Sequence, residues 1–251
     1  MEFNGVLLTR YAYHEDCTPW HYHENPYFMF VLQGNMMDTN KKSENLLPTG
    51  GLMFTNWQEA HYGSKHSDLA AGFHLELEKR WLEKYDITMT DIEGSLHLEN
   101  PLIKGLMTKI YVETNINDHQ SQLSIESLIL DIFSTMKKSQ LILHSKKPNW
   151  VKKIQELILD AETDHSLSSL SKELNIHPVH LSREFHKYFG STLGQYTRQL
   201  KLNKAIHLMA TKKYTMTEIC YQCGFYDQSH FITAFKATYN MTPSYFLQLT
   251  S

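Results

Sequence analysis

The chain has 251 residues, of which 41% are hydrophobic and 20% charged. That is enough for two ordinary domains with sizeable cores, and too apolar for wholesale disorder. No apolar run approaches the roughly 20 residues a membrane helix needs. The N-terminus lacks a basic stretch followed by an apolar one, so no signal peptide is expected. Cys17, Cys220 and Cys223 give no disulfide framework, and a reducing cytoplasm is the expected location.

The net charge of −3 hides an asymmetry. Residues 1–147 hold 13 Lys/Arg against 19 Asp/Glu, a balance of −6, and residues 148–251 hold 11 against 8, a balance of +3. Within 168–246 the count is 9 against 4, or +5. An acidic half joined to a basic one suggests that only the second meets a polyanion.

Residues 1–75 read as β structure. Runs such as Tyr27-Phe28-Met29-Phe30-Val31-Leu32 and Gly51-Leu52-Met53-Phe54 are bounded by Gln33-Gly34-Asn35 and Pro48-Thr49-Gly50-Gly51. Short strands separated by turns favour a sandwich or barrel. Residues 100–138 read as two helices. Asn100-Pro101 opens the first, with Leu102, Leu106, Ile110 and Tyr111 as its apolar face. Leu128, Ile132, Phe133 and Met136 recur at helical spacing in the second. Ser139–Asn149 reads as a linker. The expected organisation is therefore an N-terminal domain over 1–138, a linker over 139–149 and an all-helical domain over 150–251.

The helical domain contains a repeat. Leu170, Leu174 and Asn175 recur as Ile219, Cys223 and Gly224, 49 positions later. Leu181, Phe185 and Phe189 recur as Phe231, Phe235 and Tyr239, 50 positions later. Each copy reads as a helix, a turn and a second helix, and Leu193–Ala210 reads as a strut between them. Paired short helices of this kind place the second helix in the DNA major groove. The faces left free by the core positions carry His177, Val179, His180, Ser182, Arg183, His186 and Lys187 in the first copy. In the second they carry Asp227, Gln228, Ser229, His230, Thr233 and Lys236. Arg183 suits a bidentate contact to guanine and Gln228 one to adenine. Lys187, Lys201, Lys204, Lys212, Lys213 and Lys236 suit phosphate, which positions a protein without reading sequence.

Two stretches closely resemble the AraC/XylS family of transcription regulators. One is Cys223-Gly224-Phe225-Tyr226-Asp227-Gln228-Ser229-His230-Phe231-Ile232-Thr233-Ala234-Phe235-Lys236, followed by Pro243 and Tyr245-Phe246. The other is His177-Pro178-Val179-His180-Leu181-Ser182-Arg183-Glu184-Phe185, followed by Gly190-Ser191-Thr192-Leu193-Gly194-Gln195-Tyr196. The resemblance covers about residues 150–249. It implies a double-stranded DNA partner, with Val179, Ser182 and Arg183, then Gln228, Ser229 and Thr233, facing the groove. It further implies a homodimer formed through the helices of 101–136, contact with RNA polymerase, and activation as the commoner mode. Thr233 stands where the family usually has Arg, and Phe246 where a basic residue is common. Asn175 and Asn240 replace turn glycines, which Asn tolerates.

Over fewer fixed positions, Trp20-His21-Tyr22-His23, Gly34, Pro48-Thr49-Gly50-Gly51 and His61 resemble the cupin motifs. The expected fold class is thus α+β in two domains, a cupin-like β-barrel with two helices and an all-α double helix-turn-helix. Alternation along a strand puts His21 and His23 on one side. His61 can join them, making three imidazoles, a weak candidate metal site. The pattern usually supplies a glutamate where Tyr27 stands. The preferred reading is an unknown small-molecule effector, with no cofactor, in a pocket lined by Trp20, His21, His23, Tyr27, Phe28, Phe30, Trp57 and His61. The alternative is a metal-dependent cupin enzyme fused to a DNA-binding module. Cys220-Tyr221-Gln222-Cys223 closes a helix inside the second copy and reads as core and not as a redox or zinc motif.

Overall fold

The computed structural model describes residues 1–56, 58, 60–89, 94–143, 148–159 and 165–250, with backbone alone for 139–143. Trp57 and Asp164, and the part of the expected linker at 144–147, lie outside the described residues.

The N-terminal part opens with β1 (Glu2–Phe3), β2 (Val6–Ala12), β3 (Tyr27–Gln33), β4 (Asn35–Asn40), β5 (Glu44–Pro48), β6 (Leu52–Asn56), β7 (His61–Lys65) and β8 (Ala71–Leu77). Helix α1 (Lys79–Lys84) and β9 (Gly94–His97) follow. Six strands form one antiparallel sheet in the order β1-β2-β8-β3-β6-β9, and three form a second in the order β5-β4-β7. The apolar run of β3 reflects a strand covered on both faces. Tyr27, Met29 and Val31 pack with Met36, Leu47 and Met53 between the two sheets. Phe28 and Phe30 point the other way, into a larger core shared with helices.

Two long helices supply that second cover, α2 (Pro101–Ile116) and α3 (Ser121–Leu143). Asn100 caps α2, its side chain accepting from the Leu102 amide, with Pro101 in the first turn. The buried face of α2 is Ile103, Met107, Ile110 and Tyr111, displaced by one residue from the Leu102–Leu106 face expected; Leu102 and Leu106 are half-buried. Both faces of α2 have neighbours, so its apolar residues spread beyond one stripe. Helix α3 runs through Leu143, into the segment read as linker, since 137–143 contains neither Gly nor Pro to stop it. Helix α1 escaped the sequence reading altogether, although its Trp81 is completely buried.

The C-terminal part is α4 (Asn149–Leu159), α5 (Leu167–Leu174), α6 (Pro178–Phe189), α7 (Leu193–Thr211), α8 (Met216–Gln222), α9 (Gln228–Tyr239) and α10 (Pro243–Thr250). It holds two cores. Val151, Ile154 and Ile158 of α4 pack with Leu170, Leu181, Phe185, Phe189, Leu193 and Tyr196. Leu202, Ala205 and Met209 of α7 pack with Ile219, Cys223, Phe231, Phe235, Tyr239 and Phe246. The repeat therefore extends beyond its two helix pairs. Val151, Ile154 and Ile158 correspond to Leu202, Ala205 and Met209 at an offset of 51. Tyr196 corresponds to Phe246 at an offset of 50. In each copy three rings pack together: Phe185, Phe189 and Tyr196 in one, Phe235, Tyr239 and Phe246 in the other.

The turns repeat too. Ser166 and Thr215 cap α5 and α8, each accepting from the amide three residues on. Asn175 (φ 52°) and Gly224 (φ 70°) occupy matching left-handed positions, as do Gly190 (φ 72°) and Asn240 (φ 57°). Asn thus serves where Gly serves in the other copy.

Because the two cores are separate, Phe185→Ala should cost about 3–5 kcal/mol of local stability in the first module alone. Hydrogen exchange should show α5 and α6 losing protection while α8 and α9 keep theirs.

Candidate DNA interface and sensor sites

In both modules the core positions fix which faces of the second helix remain outside. Leu181, Phe185 and Phe189 turn inward on α6, leaving Val179, His180, Ser182, Arg183, His186 and Lys187 exposed. On α9, Phe231, Ala234, Phe235 and Tyr239 turn inward, leaving Gln228, Ser229, His230, Thr233 and Lys236 exposed. Val179 is an apolar residue 71% exposed at the N-terminal end of its helix. Folding alone gives no reason for that exposure. Arg183 rests on its own helix, 3.3 Å from His180 Nδ1 and 3.8 Å from the Glu184 carboxylate, which also holds Lys187 at 3.6 Å. These contacts are surface-exposed and exchange readily for a stronger anion.

Two lysines expected at phosphate have other partners. Lys201 donates to the Gly224 carbonyl at 2.6 Å and Lys204 to the Gln222 carbonyl at 2.7 Å. The carbonyls ending α8 lack intrahelical partners, and the strut's ammonium groups satisfy them. Phe246 sits in the second core as the counterpart of Tyr196, so its position faces inward and not toward a phosphate. Cys220 and Cys223 are buried. Burial raises both thiols, Cys223 to about 11.

The barrel histidines converge. His21 and His61 face each other across an isolated antiparallel bridge, their backbones exchanging hydrogen bonds of 3.0 and 2.8 Å. The His21–His61, His21–His23 and His23–His61 ring centroids lie 4.5, 5.3 and 5.5 Å apart. Tyr27 joins them, its hydroxyl 3.2 Å from His61 Nε2. Burial raises the Tyr27 phenol well above its ordinary value. Burial lowers His23, with His61 adding to the effect. His74, on β8 beside them, is pushed down to about 3 by burial and by the other imidazoles. Trp20 packs edge-on against Tyr62 at the exposed rim.

Phe30 does not join this group. It lies three residues from Tyr27, an odd step, and the pleat sends it to the opposite face of the sheet. Phe28 points the same way as Phe30 and is wholly buried among core side chains, so it lines no pocket with the histidines.

Phe30 lines a different space, one the sequence did not suggest. A cleft of about 900 Å³, counting its open mouth, lies between the barrel and the helical domain. Its walls are Phe30, Val31, Leu32 and Tyr111 on one side and Ile206, Phe246 and Leu247 on the other. Arg10, Lys104, His207 and Lys212 also line it, and among the described residues no carboxylate does. Lys104 pairs with Glu99 at 2.8 Å, while His207 Nδ1 is buried without a partner. Beside the cleft the domains are tied directly. Asn203 donates to the Pro101 carbonyl at 3.1 Å, and Gln199 donates to Asn203 and to the Tyr239 hydroxyl. Gly105 lets α2 approach here, since a Cβ would come within 2.5 Å of the Gln199 amide.

Residues 170–248 match the model of a helix-turn-helix domain. Over 146 residues the chain is 27% identical to the HTH-type transcriptional activator RhaS of Escherichia coli, covering 56% of this chain and 51% of RhaS. The chain thus spans about half the length of the curated relatives it matches. It is 36% identical to the C-terminal domain of the two-component response regulator yesN of Fusobacterium nucleatum, over 41% of this chain and all of that domain, with a TM-score of 0.38. An apo form of ToxT from Vibrio cholerae is 17% identical, with 98% of both chains covered and a TM-score of 0.46. A sheet-rich N-terminal part and a C-terminal part that carries a helix-turn-helix domain similar to those of transcription regulators thus make up the chain. Among the described residues no helix is long and apolar enough to cross a membrane.

The two core thiols should be unreactive in the folded chain. Iodoacetamide at neutral pH should label exposed Cys17 and modify Cys220 and Cys223 at least about ten-fold more slowly, until denaturant is added. Peptide mass spectrometry reads the difference.

Proposed function

We propose that this protein is an effector-responsive activator of transcription that reads duplex DNA with α6 and α9. One observation carries this reading: two register-matched helices present exposed polar side chains from two like cores that share one strut. Val179, His180, Ser182, Arg183 and Lys187 form the first reading face. Gln228, Ser229, His230, Thr233 and Lys236 form the second. In this reading the chain acts by binding and not by catalysis, and DNA-bound protein recruits RNA polymerase. A second copy docks along α2 and α3, where Ile116 and Leu123 are exposed.

The effector in this reading occupies the cleft between the domains. Apolar walls with cationic groups and no lining carboxylate suit an amphipathic anion, its tail on Phe30, Ile206 and Phe246 and its head toward Arg10 and Lys212. Such a ligand touches β3, α2, α7 and α10 together. It shifts the balance between domain arrangements by its differential contacts with them. His21, His23, Tyr27 and His61, with Trp20 at the rim, remain a second polar site inside the barrel.

Arg183→Ala should weaken binding to a selected duplex by about 1–3 kcal/mol and relax preference at one base position. Lys236→Ala should weaken all sequences alike and lower the salt slope by about one. Fluorescence anisotropy across a salt series distinguishes the two, and unchanged binding in both would overturn the assignments.

The cleft is tested with dodecanoate and dodecanol. The carboxylate should raise the melting temperature and change DNA affinity, the alcohol should do neither, and Lys212→Ala should reduce the carboxylate's effect. Equal responses to both compounds would remove the anionic class.

A further inference from the structure

The carbonyls that close the first helix of each pair are shared out in the same way in both modules. In the first, the Ser171 carbonyl accepts from the Ile176 amide at 2.9 Å and the Lys172 carbonyl from the Asn175 amide at 3.2 Å. In the second, the Cys220 carbonyl accepts from the Phe225 amide at 3.1 Å and the Tyr221 carbonyl from the Gly224 amide at 2.9 Å. The next carbonyl along is the one each turn leaves to a side chain. Lys153 of α4 donates to the Glu173 carbonyl at 3.1 Å, and Lys204 of α7 to the Gln222 carbonyl at 2.7 Å. Glu173 and Gln222 are 49 positions apart, as the turn residues are, and Lys153 and Lys204 are 51 apart, as the core residues beside them are. Both lysines are exposed, so closing the cores does not require the contact to recur. The Glu173 carboxylate also comes within 3.8 Å of Lys153, but Gln222 offers none to Lys204. The carbonyl, and not an ion pair, is what the copies share.

We infer that Lys153, Lys201 and Lys204 are positioning residues for DNA reading: each ties the helix behind a module (α4 or α7) to the turn ahead of its reading helix, and so sets the direction in which α6 or α9 points. The inference rests on the reading of duplex DNA by those two helices. A helix C-terminus carries partial negative charge, which favours an ammonium group there over a neutral donor. The second module has the longer turn, five residues over Cys223–Asp227 against three over Asn175–His177, and it has a second clamp. Lys201 donates to the Gly224 carbonyl at 2.6 Å, inside that turn, with its Nζ 5.8 Å from the ring of the core residue Phe225. At the matching place in the first module stands Trp150, which packs edge-on against Tyr188 with ring centroids 5.5 Å apart. Reading needs both helices in successive grooves on one face of the duplex, so a small change of direction in α9 removes base contacts first. Phosphate contacts made by long flexible side chains survive it. A lysine held on a carbonyl therefore contributes to selectivity and not to the charge that DNA meets.

The test uses the full-length chain, a duplex selected from random DNA and a random duplex of equal length. Lys201→Met/Lys204→Met should lower the ratio of the two affinities about ten-fold, roughly the discrimination one base contact supplies, and leave the salt slope of random-duplex binding unchanged. Lys201→Arg/Lys204→Arg, which keeps the cationic donors, should restore the ratio. In the free protein the Gly224 and Phe225 amides should exchange hydrogen faster in the Met variant. The Ile219 and Phe235 amides, in the second core, should exchange as in the parent, which establishes that the variant is folded. A salt slope lowered by about one per lysine replaced, with both duplexes weakened alike, would mark phosphate ligands and overturn the inference. So would an unchanged affinity ratio in the folded Met variant. Should the double variant not fold, Lys153→Met, a single change in the first module, is judged by the same ratio and slope. A parent that selects no duplex defeats the reading by α6 and α9 itself and the inference with it, a result visible before any lysine is replaced.

Discussion

Helix α7 belongs to three packed surfaces at once, and the rest of the C-terminal part is arranged around that constraint. Leu193, Tyr196 and Leu200 enter the first core, while Leu202, Ala205, Leu208 and Met209 enter the second. At 3.6 residues per turn the mean directions of these two sets lie about 160° apart. The helix is therefore a wall between two modules, apolar on one side at its start and on the other side at its end. A third direction, carrying Gln199, Asn203 and Ile206, faces α2 and the cleft. Residues with three different obligations cannot make a single apolar stripe. That is why the strut is legible from its caps, Thr192 and its capping box with Gln195, and not from amphipathicity.

The two modules are alike inside and unlike in attachment. Val112 of α2 is part of the second core, which also holds Leu202 and Phe246, whereas the first core contains no side chain from the N-terminal domain among the described residues. Gln199 and Asn203 chain the Pro101 carbonyl to the Tyr239 hydroxyl within the second module. The contacts of the N-terminal domain with α7 are thus continuous with α9 and α10. Coupling needs a physical element that both sites bias, and the α2–α7 crossing is such an element. Gly105 keeps the two helices close enough for this, and any side chain there would press on Gln199.

The repeat was legible because a small core permits few substitutions at fixed spacing: Leu181 and Phe231, or Phe185 and Phe235, must be large and apolar wherever the module closes. What escaped depends on partners distant in sequence. Val112 reads as one more apolar residue of a sensor helix until α10 lies against it. Lys201 and Lys204 read as phosphate ligands because their charge is visible in the sequence and the carbonyls they satisfy are not. The cleft joins β3 to α7 and α10, more than 150 residues apart, and no local pattern announces it. Phe30 shares its aromatic chemistry with Tyr27 but not its direction, because parity along β3 puts the two on opposite faces of the sheet.

The helix starts give the copies different electrostatics. Asp227 caps α9, its carboxylate accepting from the His230 amide at 2.7 Å, while His177 begins α6 with no side-chain cap and Pro178 follows. The amides at the start of α9 are thus partly occupied by an anion already present, and those of α6 are open to another. Arg183 and Lys187 add two cations to the first face, whereas Lys236 is the one cation on the exposed face of α9. In the proposed complex the first module therefore supplies more of the phosphate attraction. The second, with Gln228, Ser229 and Thr233 reading and less charge to hold it, depends more on being correctly placed. It is also the module tied to the N-terminal domain, through Val112 in its core and through Gln199 and Asn203, which link the Pro101 carbonyl to the Tyr239 hydroxyl.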